Sequence, residues 1–269
     1  MALALASSGA LNWGYVAQHG GAASLPPLTL RYPIASLRAL FAHRRWLAGF
    51  LVGIGGWVLY VVALRLTALS LVQAASAGGI GLLALLAGRR LTTSERGGVL
   101  VALAGLVLLA ISLSGGSSAG SQPPWPRVAA WMALSVIASG LAIGRNPRLA
   151  PGAGLGLAAG LLYAAGDVGT KAAVAGGGRL GFAPALLLCH GLAFVALQLG
   201  FQRGSVLATA GVATLVTNAA PIAAGVFVFH EHLPGGGMAA VRAAAFAGVV
   251  AGAALLSVSL RRPVPNAIL

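Results

Sequence analysis

Residues 44–65 read RRWLAGFLVGIGGWVLYVVALR, an uncharged run of nineteen residues closed by arginines at both ends. An α-helix rises about 1.5 Å per residue, so the run would extend about 28 Å, close to the roughly 30 Å of a bilayer's hydrocarbon core. The stretch therefore predicts a transmembrane helix. The rest of the chain has the same character.

The whole composition places the chain in a membrane. The 269 residues are 58% hydrophobic and 7% charged, with a mean hydropathy of +0.93. Soluble domains carry roughly a quarter charged residues. The net charge of +14 would suggest nucleic acid for a soluble domain, but the arginines fall singly or in pairs between apolar blocks. We therefore expect a lipid bilayer as partner and no nucleic acid.

Apolar runs bounded by arginine, proline or glycine clusters predict an all-α polytopic membrane protein with about nine transmembrane helices. The predicted spans are 2–20, 46–64, 68–87, 97–114, 127–144, 152–172, 181–199, 205–228 and 238–259. The segment 22–45 holds three prolines and several arginines. It is either an interfacial helix or a degenerate tenth crossing.

The distribution of basic residues predicts the orientation. Twelve of the seventeen fall in loops on one side of the predicted spans: Arg31, Arg38, Arg44, Arg45, Arg89, Arg90, Arg96, Arg145, Arg148, Arg203, Arg261 and Arg262. The other five are Arg65, Arg127, Lys171, Arg179 and Arg242. By the positive-inside rule, this predicts a multi-pass plasma (inner) membrane protein with its N-terminus outside and its C-terminus in the cytoplasm.

Two halves of the chain are related by weak internal similarity. The run Gly14-Tyr15-Val16-Ala17-Gln18-His19 resembles Gly166-Asp167-Val168-Gly169-Thr170-Lys171. Spans one to four then correspond to spans six to nine, and the halves are inverted because five crossings separate equivalent spans. The predicted units are a first four-helix repeat at 1–114 with the segment 22–45, a connector helix at 127–144, and a second repeat at 152–260. Inverted repeats are common in secondary transporters.

Several short motifs resemble the drug/metabolite transporter superfamily, with its EamA-like and NIPA-like membrane proteins. They are Tyr15-Val16-Ala17-Gln18, Lys171 near the end of span six, and Pro221 ten residues before Glu231-His232-Leu233. The nine-helix arrangement is similar to NIPA-type magnesium transporters, and the four-plus-one-plus-four pattern to two fused small-multidrug-resistance units. Those small carriers use an acid in their first helix, whereas span one here has Asn12 and Gln18 instead.

Asp167 is the acid predicted to lie within a span, and Lys171 follows it by one helical turn. Ionisable groups inside a membrane are costly and mark functional sites. The two residues form either a gate, substrate or proton site near the outer mouth, or a local ion pair whose lysine reaches the headgroups.

Further polar residues lie in the apolar spans and could converge on a cavity between the halves: Asn12, Tyr15, Gln18, Gln73, Ser76, Tyr163, Thr214, Thr217 and Asn218. The alternative is hydrogen bonding between packed helices. Pro221 removes a backbone donor and breaks the helix locally. Trp57 and Tyr60 share one face of span two, where packing is favoured over a cavity wall. His190 is expected as a hydrogen-bonded core residue. Gly152, Gly156 and Gly160, and Gly248 with Gly252, predict ridges for close helix packing.

Three functions are compatible with these features. The first is a secondary transporter of a small organic solute or metabolite, working by alternating access between the inverted halves. The second is a NIPA-like carrier of Mg²⁺ or another divalent cation, although a single acid within the spans supplies few of the oxygen ligands that such ions require. The third is a membrane partner protein that transports nothing. We expect no enzyme, no resident metal and no cofactor, and the oligomeric state stays open.

Overall fold

The computed structural model describes residues 2–29, 31–66, 69–76, 79–86, 91–113, 124–143, 150–174, 179–230 and 236–257. All regular structure in these ranges is helical, and no strand occurs in them. The predicted unit limits at 114, 144 and 260, and Glu231 of the terminal motif, lie outside the described residues.

The helices follow the predicted spans closely. They are α1 (Ala2–Ala23), α2 (Pro33–Ala42), α3 (Arg44–Leu66), α4 (Leu69–Ser76), α5 (Gly79–Leu86), α6 (Thr93–Leu113), α7 (Trp125–Ala142), α8 (Ala153–Val174), α9 (Ala183–Phe201), α10 (Val212–Phe227) and α11 (Gly237–Ser257). A 3₁₀ turn at Arg179–Phe182 precedes α9, and a π-helical turn at Leu207–Gly211 precedes α10. The third predicted span, 68–87, corresponds to α4 and α5.

Helix α2 resolves the open interpretation of residues 22–45. Its ten residues rise only about 15 Å, half of a hydrocarbon core, so it is too short to cross the membrane. Pro33 opens the helix, where the missing N–H of proline costs no hydrogen bond. Ile34, Leu37 and Phe41 leave large apolar surfaces exposed. The segment is therefore a short helix with the character of an interfacial one, not a tenth crossing.

Four described segments are long and apolar enough to cross a bilayer: Arg44–Leu66, Leu180–Phe201, Leu207–Phe227 and Gly237–Leu256. Their outward faces carry exposed leucines and valines such as Leu51, Val58 and Leu188. A surface of this kind is favourable in lipid and unfavourable in water. The chain is an integral membrane protein.

The helices pack in a small number of extensive pairs. α1 lies along α3, α6 lies along α11, and α8 packs against α7, α9 and α10. Further contacts join α10 to α4 and α1 to both α4 and α5. α8 is the most buried of the long helices, with sixteen of its 22 residues buried. It therefore carries its polar residues into the interior.

The structure confirms both predicted glycine ridges. A Cβ atom at Gly156 would overlap the backbone of Thr209, and one at Gly160 would lie 2.8 Å from the Ala213 carbonyl oxygen. A Cβ atom at Gly248 would lie 3.1 Å from Gly105 Cα, and one at Gly252 would lie 2.8 Å from the Gly98 carbonyl oxygen, both on α6. The absent side chains let α8 pack directly on the π-helical turn and α10, and let α11 pack on α6.

Candidate functional site

A cavity of about 590 Å³ lies among α1, α3, α4, α8, α9 and α10, with α2 along its margin. Ten of the eleven residues predicted from the sequence to line a substrate path surround it: Asn12, Tyr15, Gln18, Gln73, Ser76, Tyr163, Asp167, Thr214, Thr217 and Asn218. Lys171 is not among them. The structure thus brings together polar residues that are up to two hundred positions apart in the chain; their role in binding a substrate stays a prediction.

The carboxylate of Asp167 lies beside polar residues of two other helices, α3 and α4. Its Oδ2 atom accepts a hydrogen bond from Gln73 Nε2 on α4 at 3.1 Å. Gln73 Nε2 also donates to the Tyr60 oxygen on α3 at 2.6 Å, so one amide joins the Tyr60 hydroxyl and the carboxylate. Asp167 is the one acidic residue that lines the cavity within the described ranges. Asp167, in the second half of the chain, is therefore positioned by residues of the first half.

His190 on α9 faces the other oxygen of this carboxylate. Its Nδ1 atom lies 2.8 Å from the Leu186 carbonyl oxygen, and its Nε2 atom lies 3.6 Å from Asp167 Oδ1. A carbonyl can only accept, so Nδ1 is the donor in this contact and Nε2 faces the carboxylate. Gly166 makes this placement possible, because a Cβ atom there would overlap the imidazole ring.

The wall opposite α9 is formed by hydroxyl and amide groups of α1 and α4. Ser8 Oγ donates to the Ser76 carbonyl oxygen at 2.5 Å, and Asn12 Nδ2 donates to the Ser8 carbonyl oxygen at 2.8 Å. These bonds leave the Asn12 carbonyl oxygen and the Ser76 hydroxyl unused. Both atoms are buried and line the cavity.

Five buried side-chain atoms of cavity-lining residues have no hydrogen-bond partner in the described part of the chain. They are Asn12 Oδ1, Trp57 Nε1, Ser76 Oγ, His190 Nε2 and Thr214 Oγ1. An unsatisfied buried polar group costs about 1–3 kcal/mol. Each of these atoms is inaccessible to water in this structure, so a polar solute recovers this cost only when the side chains around them rearrange. The set includes both donors and acceptors.

Helix α10 contributes a polar stripe on the far side. Asn218 Nδ2 donates to the Thr214 carbonyl oxygen at 2.7 Å, and Thr217 Oγ1 donates to the Gly160 carbonyl oxygen at 3.3 Å. Part of the stripe therefore serves helix packing, as the alternative interpretation expected. Pro221 lies within α10 one turn beyond Thr217.

The two ends of the cavity region are closed by different contacts. At the end where α3 begins, Gln198 Nε2 donates to Gln18 Oε1 at 2.7 Å and Trp46 Nε1 donates to Gln198 Oε1 at 2.8 Å. At this end His19 Nε2 also donates to the Gly204 carbonyl oxygen at 3.2 Å. We call these contacts the α1–α9 end contact.

At the opposite end, where α3 finishes, Lys171 Nζ donates to the Leu64 carbonyl oxygen at 2.9 Å. We call this the α8–α3 end contact. Lys171 follows Asp167 by one turn of α8, yet its ammonium group is engaged at the helix end, while Asp167 faces Gln73, Tyr60 and His190. Of the two residues, only Asp167 belongs to the cavity.

Aromatic side chains form more of the cavity wall than the sequence predicts. Trp57 and Tyr60, which the sequence assigns to helix packing, both line the cavity, as do Phe50 and Phe194. The rings of Trp57 and Tyr163 each meet His190 edge to face, with centroids 5.7 Å apart. His190 makes the hydrogen bond expected of it and also faces the cavity. Its helical spacing with Leu187, Gly191 and Phe194 is the signal that could have assigned it.

The fold and this site define an integral membrane protein with a largely apolar, aromatic-walled cavity that contains a few buried polar groups. An 81-residue stretch is 40% identical to the probable magnesium transporter NIPA9 of Arabidopsis thaliana. The stretch covers 30% of this chain, which thus matches 23% of that relative's length. No family model matches the chain, and no solved structure matches it.

Proposed function

We propose that this protein is a secondary transporter that moves a small polar organic solute by alternating access between two inverted halves. The observation that carries the proposal is the cavity, in which both halves present buried polar atoms without partners. Unpaired buried polar atoms are uncommon in packed proteins, and five of the seven found in the described part of the chain belong to residues that line this cavity. A cavity of several hundred Å³ is of the size used for small organic ligands.

The packing of the helices supports the inverted arrangement. When α1 is equated with α8, α3 with α9, α4 and α5 with α10, and α6 with α11, the main contacts form equivalent pairs. The pairing of α1 with α3 corresponds to that of α8 with α9, and the contact of α1 with α4 and α5 corresponds to that of α8 with α10. The contact between α6 and α11 has no second copy, because the relation between the halves exchanges these two helices. This arrangement supports nine crossings, with four in each repeat and α7 as the connector between them.

The end contacts fit the same relation. The sequence similarity equates His19 with Lys171. His19 on α1 donates to the carbonyl oxygen of Gly204, just after α9. Lys171 on α8 donates to the carbonyl oxygen of Leu64, in the last turn of α3. The two contacts are equivalent because α1 corresponds to α8 and α9 corresponds to α3. We infer that these contacts close the cavity alternately toward the two sides. We assign the α1–α9 end to the cytoplasm, since Arg44, Arg45 and Arg203 lie there.

Transport by purified protein in liposomes tests the proposal. A panel of radiolabelled neutral, zwitterionic and cationic solutes is offered to the wild type, to Trp57→Phe and to the control Trp131→Phe. Both tryptophans have a buried indole N–H without a described partner, but only Trp57 lines the cavity. We expect uptake of at least one class, reduced about tenfold or more by Trp57→Phe and little changed by Trp131→Phe. Absence of uptake for every class, or equal effects of the two variants, would contradict the proposal.

A second candidate is transport of Mg²⁺, favoured by the similarity to a probable magnesium transporter. Mg²⁺ requires near-octahedral oxygen coordination and loses water reluctantly. No group of three or more His, Cys, Asp or Glu side chains is clustered among the described residues. A magnesium-sensitive dye inside the same liposomes distinguishes the candidates: selective Mg²⁺ influx without solute uptake would replace the first proposal by the second.

A further inference from the structure

We propose that the cavity opens sideways into the bilayer through a window between α3 and α9, and that its solute is an amphiphile with an apolar, aromatic body that enters from the lipid. The rim of this lateral window is formed by Ile54 on α3 and by Leu187 and Gly191 on α9. The solute class rests on the proposed transport function, which it narrows. The window stands on the geometry of the two helices alone, and it is tested alone.

The rim on α9 lies where two sides of the helix meet. Leu187 and Gly191 are four residues apart, so they lie on one side of α9. Leu187 is 60% exposed and yet lines the cavity. Gly191 is also exposed and lines the cavity, and because glycine has no side chain, the exposed surface there is the helix backbone itself. Both residues therefore border the cavity and the outer surface of the protein at once.

Ile54 occupies the same kind of position on α3. It is 47% exposed and lines the cavity. Leu51 and Val58, three and four residues away, are exposed to lipid, whereas Phe50 and Trp57, at the same distances, line the cavity. Residues three and four apart are neighbours on a helix surface. Ile54 thus lies at the boundary between the lipid-facing and the cavity-facing sides of α3.

Two ring contacts join α3 to α9 and leave a space between them. Phe50 meets Phe194 with ring centroids 5.6 Å apart, and Trp57 meets His190 with centroids 5.7 Å apart. Phe50 and Trp57 are separated by seven residues, which correspond to about 10 Å along a helix. The contacts therefore set the spacing of the two helices without filling the stretch between them.

Glycines keep this stretch open. Gly53 lies between the two ring contacts on α3, and a Cβ atom there would come no nearer than 3.6 Å to a neighbour. A Cβ atom at Gly191 would meet no atom of the described chain within 4 Å. Both helices thus lack a side chain where the cavity meets the bilayer.

The depth of the window determines what it admits. Ile54 lies near the middle of α3 and Gly191 near the middle of α9, and both helices belong to segments long enough to span a bilayer. The window therefore faces the acyl chains and not the headgroups. A molecule that arrives there is dissolved in hydrocarbon, where polar groups without hydrogen bonds are costly. It must carry a mainly apolar body.

The wall behind the window has the matching chemistry. Phe50, Trp57 and Phe194 line the cavity next to the rim. Aromatic side chains stack on flat apolar groups, and pockets for organic ligands are mostly apolar with a few polar groups that fix orientation. The lining thus suits a flat apolar body that carries one or two hydrogen-bonding groups.

Thiol labelling tests the window without any transport. In a Cys189→Ala background, Thr217→Cys places a reporter on the α10 wall of the cavity. The protein in lipid nanodiscs is treated with N-hexylmaleimide, which dissolves in the lipid. Gly191→Phe should slow this reaction about tenfold or more, because its ring fills the window. The control Leu192→Phe adds the same ring on the lipid-facing side next to it and should leave the rate unchanged.

A water-soluble maleimide that carries a sulfonate separates the window from the cavity itself. Its reaction with the reporter should be unchanged by Gly191→Phe, because a charged reagent does not pass through hydrocarbon. Ile54→Trp closes the window from the α3 rim and should reproduce the effect of Gly191→Phe on N-hexylmaleimide. Equal slowing of both reagents, or equal rates of N-hexylmaleimide in all variants, would overturn the window.

Protection of the same reporter tests the solute class. Indole, with a flat apolar body and one N–H, should slow the reaction of Thr217→Cys with the sulfonated maleimide about threefold or more and in a saturable way. Glycerol, which has three hydroxyls and no apolar body, should not. Protection by glycerol but not by indole would overturn the solute class. A functional window in a protein that transports no solute of the panel would keep the window and remove the transport function instead.

Discussion

Gln198 shows at the scale of single residues how the cavity is bounded. Its amide is 3% exposed, and both of its polar atoms are used: Nε2 donates to Gln18 Oε1 and Oε1 accepts from Trp46 Nε1. Gln18 lines the cavity, while Gln198 and Trp46 lie behind it. The relay therefore holds a lining residue in place from a fully buried aromatic anchor.

Replacing Gln198 by leucine should destabilise the protein by roughly 2–6 kcal/mol, because the Trp46 N–H and the Gln18 carbonyl oxygen would each lose a partner at about 1–3 kcal/mol. The measurement is thermal or denaturant unfolding of the protein in lipid nanodiscs.

The double variant Trp46→Phe with Gln198→Leu tests the hydrogen bond itself. Removing both partners should cost less than the sum of the single variants, by about 0.5–3 kcal/mol for residues in direct contact. Strict additivity of the two effects would mean that the Trp46–Gln198 hydrogen bond contributes nothing.

The polar residues of the site could be found from the sequence, but their partners could not. Asp167, Gln73 and Thr214 stand out because polar side chains are rare in apolar helices. A sequence also shows that Lys171 follows Asp167 by one turn. It does not show that His190, from a helix whose spacing to α8 is set by Gly166, faces the carboxylate instead. Contacts between helices depend on packing that a single helix does not encode.

At the scale of elements, the packing of α8 depends on glycines, which have no side chain. Gly156 lies directly on the backbone of Thr209 in the π-helical turn, with no room for a Cβ atom. Small residues at helix interfaces are favourable in membranes because they allow backbones to approach closely. The position of Asp167 in the cavity follows from this approach, since the same helix carries both.

The change Gly156→Ala should therefore destabilise the protein, by about 1–3 kcal/mol as in other overpacked sites. The control is Gly140→Ala on α7, where an added Cβ would meet no atom within 4 Å. Alanine there should be neutral or stabilising by up to about 1 kcal/mol, because alanine is the better helix former. Unfolding in nanodiscs measures both, and effects of the same sign and size would contradict the packing argument.

Helix positions were predictable at this scale because hydrocarbon thickness and apolar run length determine them together. The run 46–64 corresponds to α3, which is two residues longer at each end, and the run 152–172 corresponds to α8, which begins at 153 and ends at 174. The length of α2 was not predictable in the same way. Its prolines and arginines forbid a span without indicating where a short helix begins and ends.

At the scale of the whole molecule, the two end contacts lie on opposite sides of the cavity. A helix of 23 residues such as α3 extends about 34 Å, and the contacts of Trp46 and Leu64 fall near its two ends. Both end contacts are present in this structure. Alternating access requires that one end contact can break while the other stays intact. A reagent should then be able to enter the cavity from only one side at a time.

Cross-linking tests this directly. In a Cys189→Ala background, cysteine pairs at His19 and Gly204, or at Lys171 and Leu64, are joined by a short bifunctional thiol reagent. A further change, Gly53→Cys, supplies the reporter, because Gly53 lines the cavity and a Cβ there would lie no nearer than 3.6 Å to a neighbour. The thiol of this reporter cysteine is chemically protected during cross-linking and deprotected afterwards, so that it can still react with a labelling reagent.

With the α1–α9 end joined, an impermeant maleimide should label the reporter only from the outer side. With the α8–α3 end joined, it should label only from the cytoplasmic side, because each cross-link leaves the opposite end free to open. Cleavage of the cross-link should restore labelling from both sides. Labelling from both sides despite a cross-link would contradict the assignment of that end contact as a gate. Labelling from the reversed sides would keep the gates and overturn the orientation drawn from Arg44, Arg45 and Arg203.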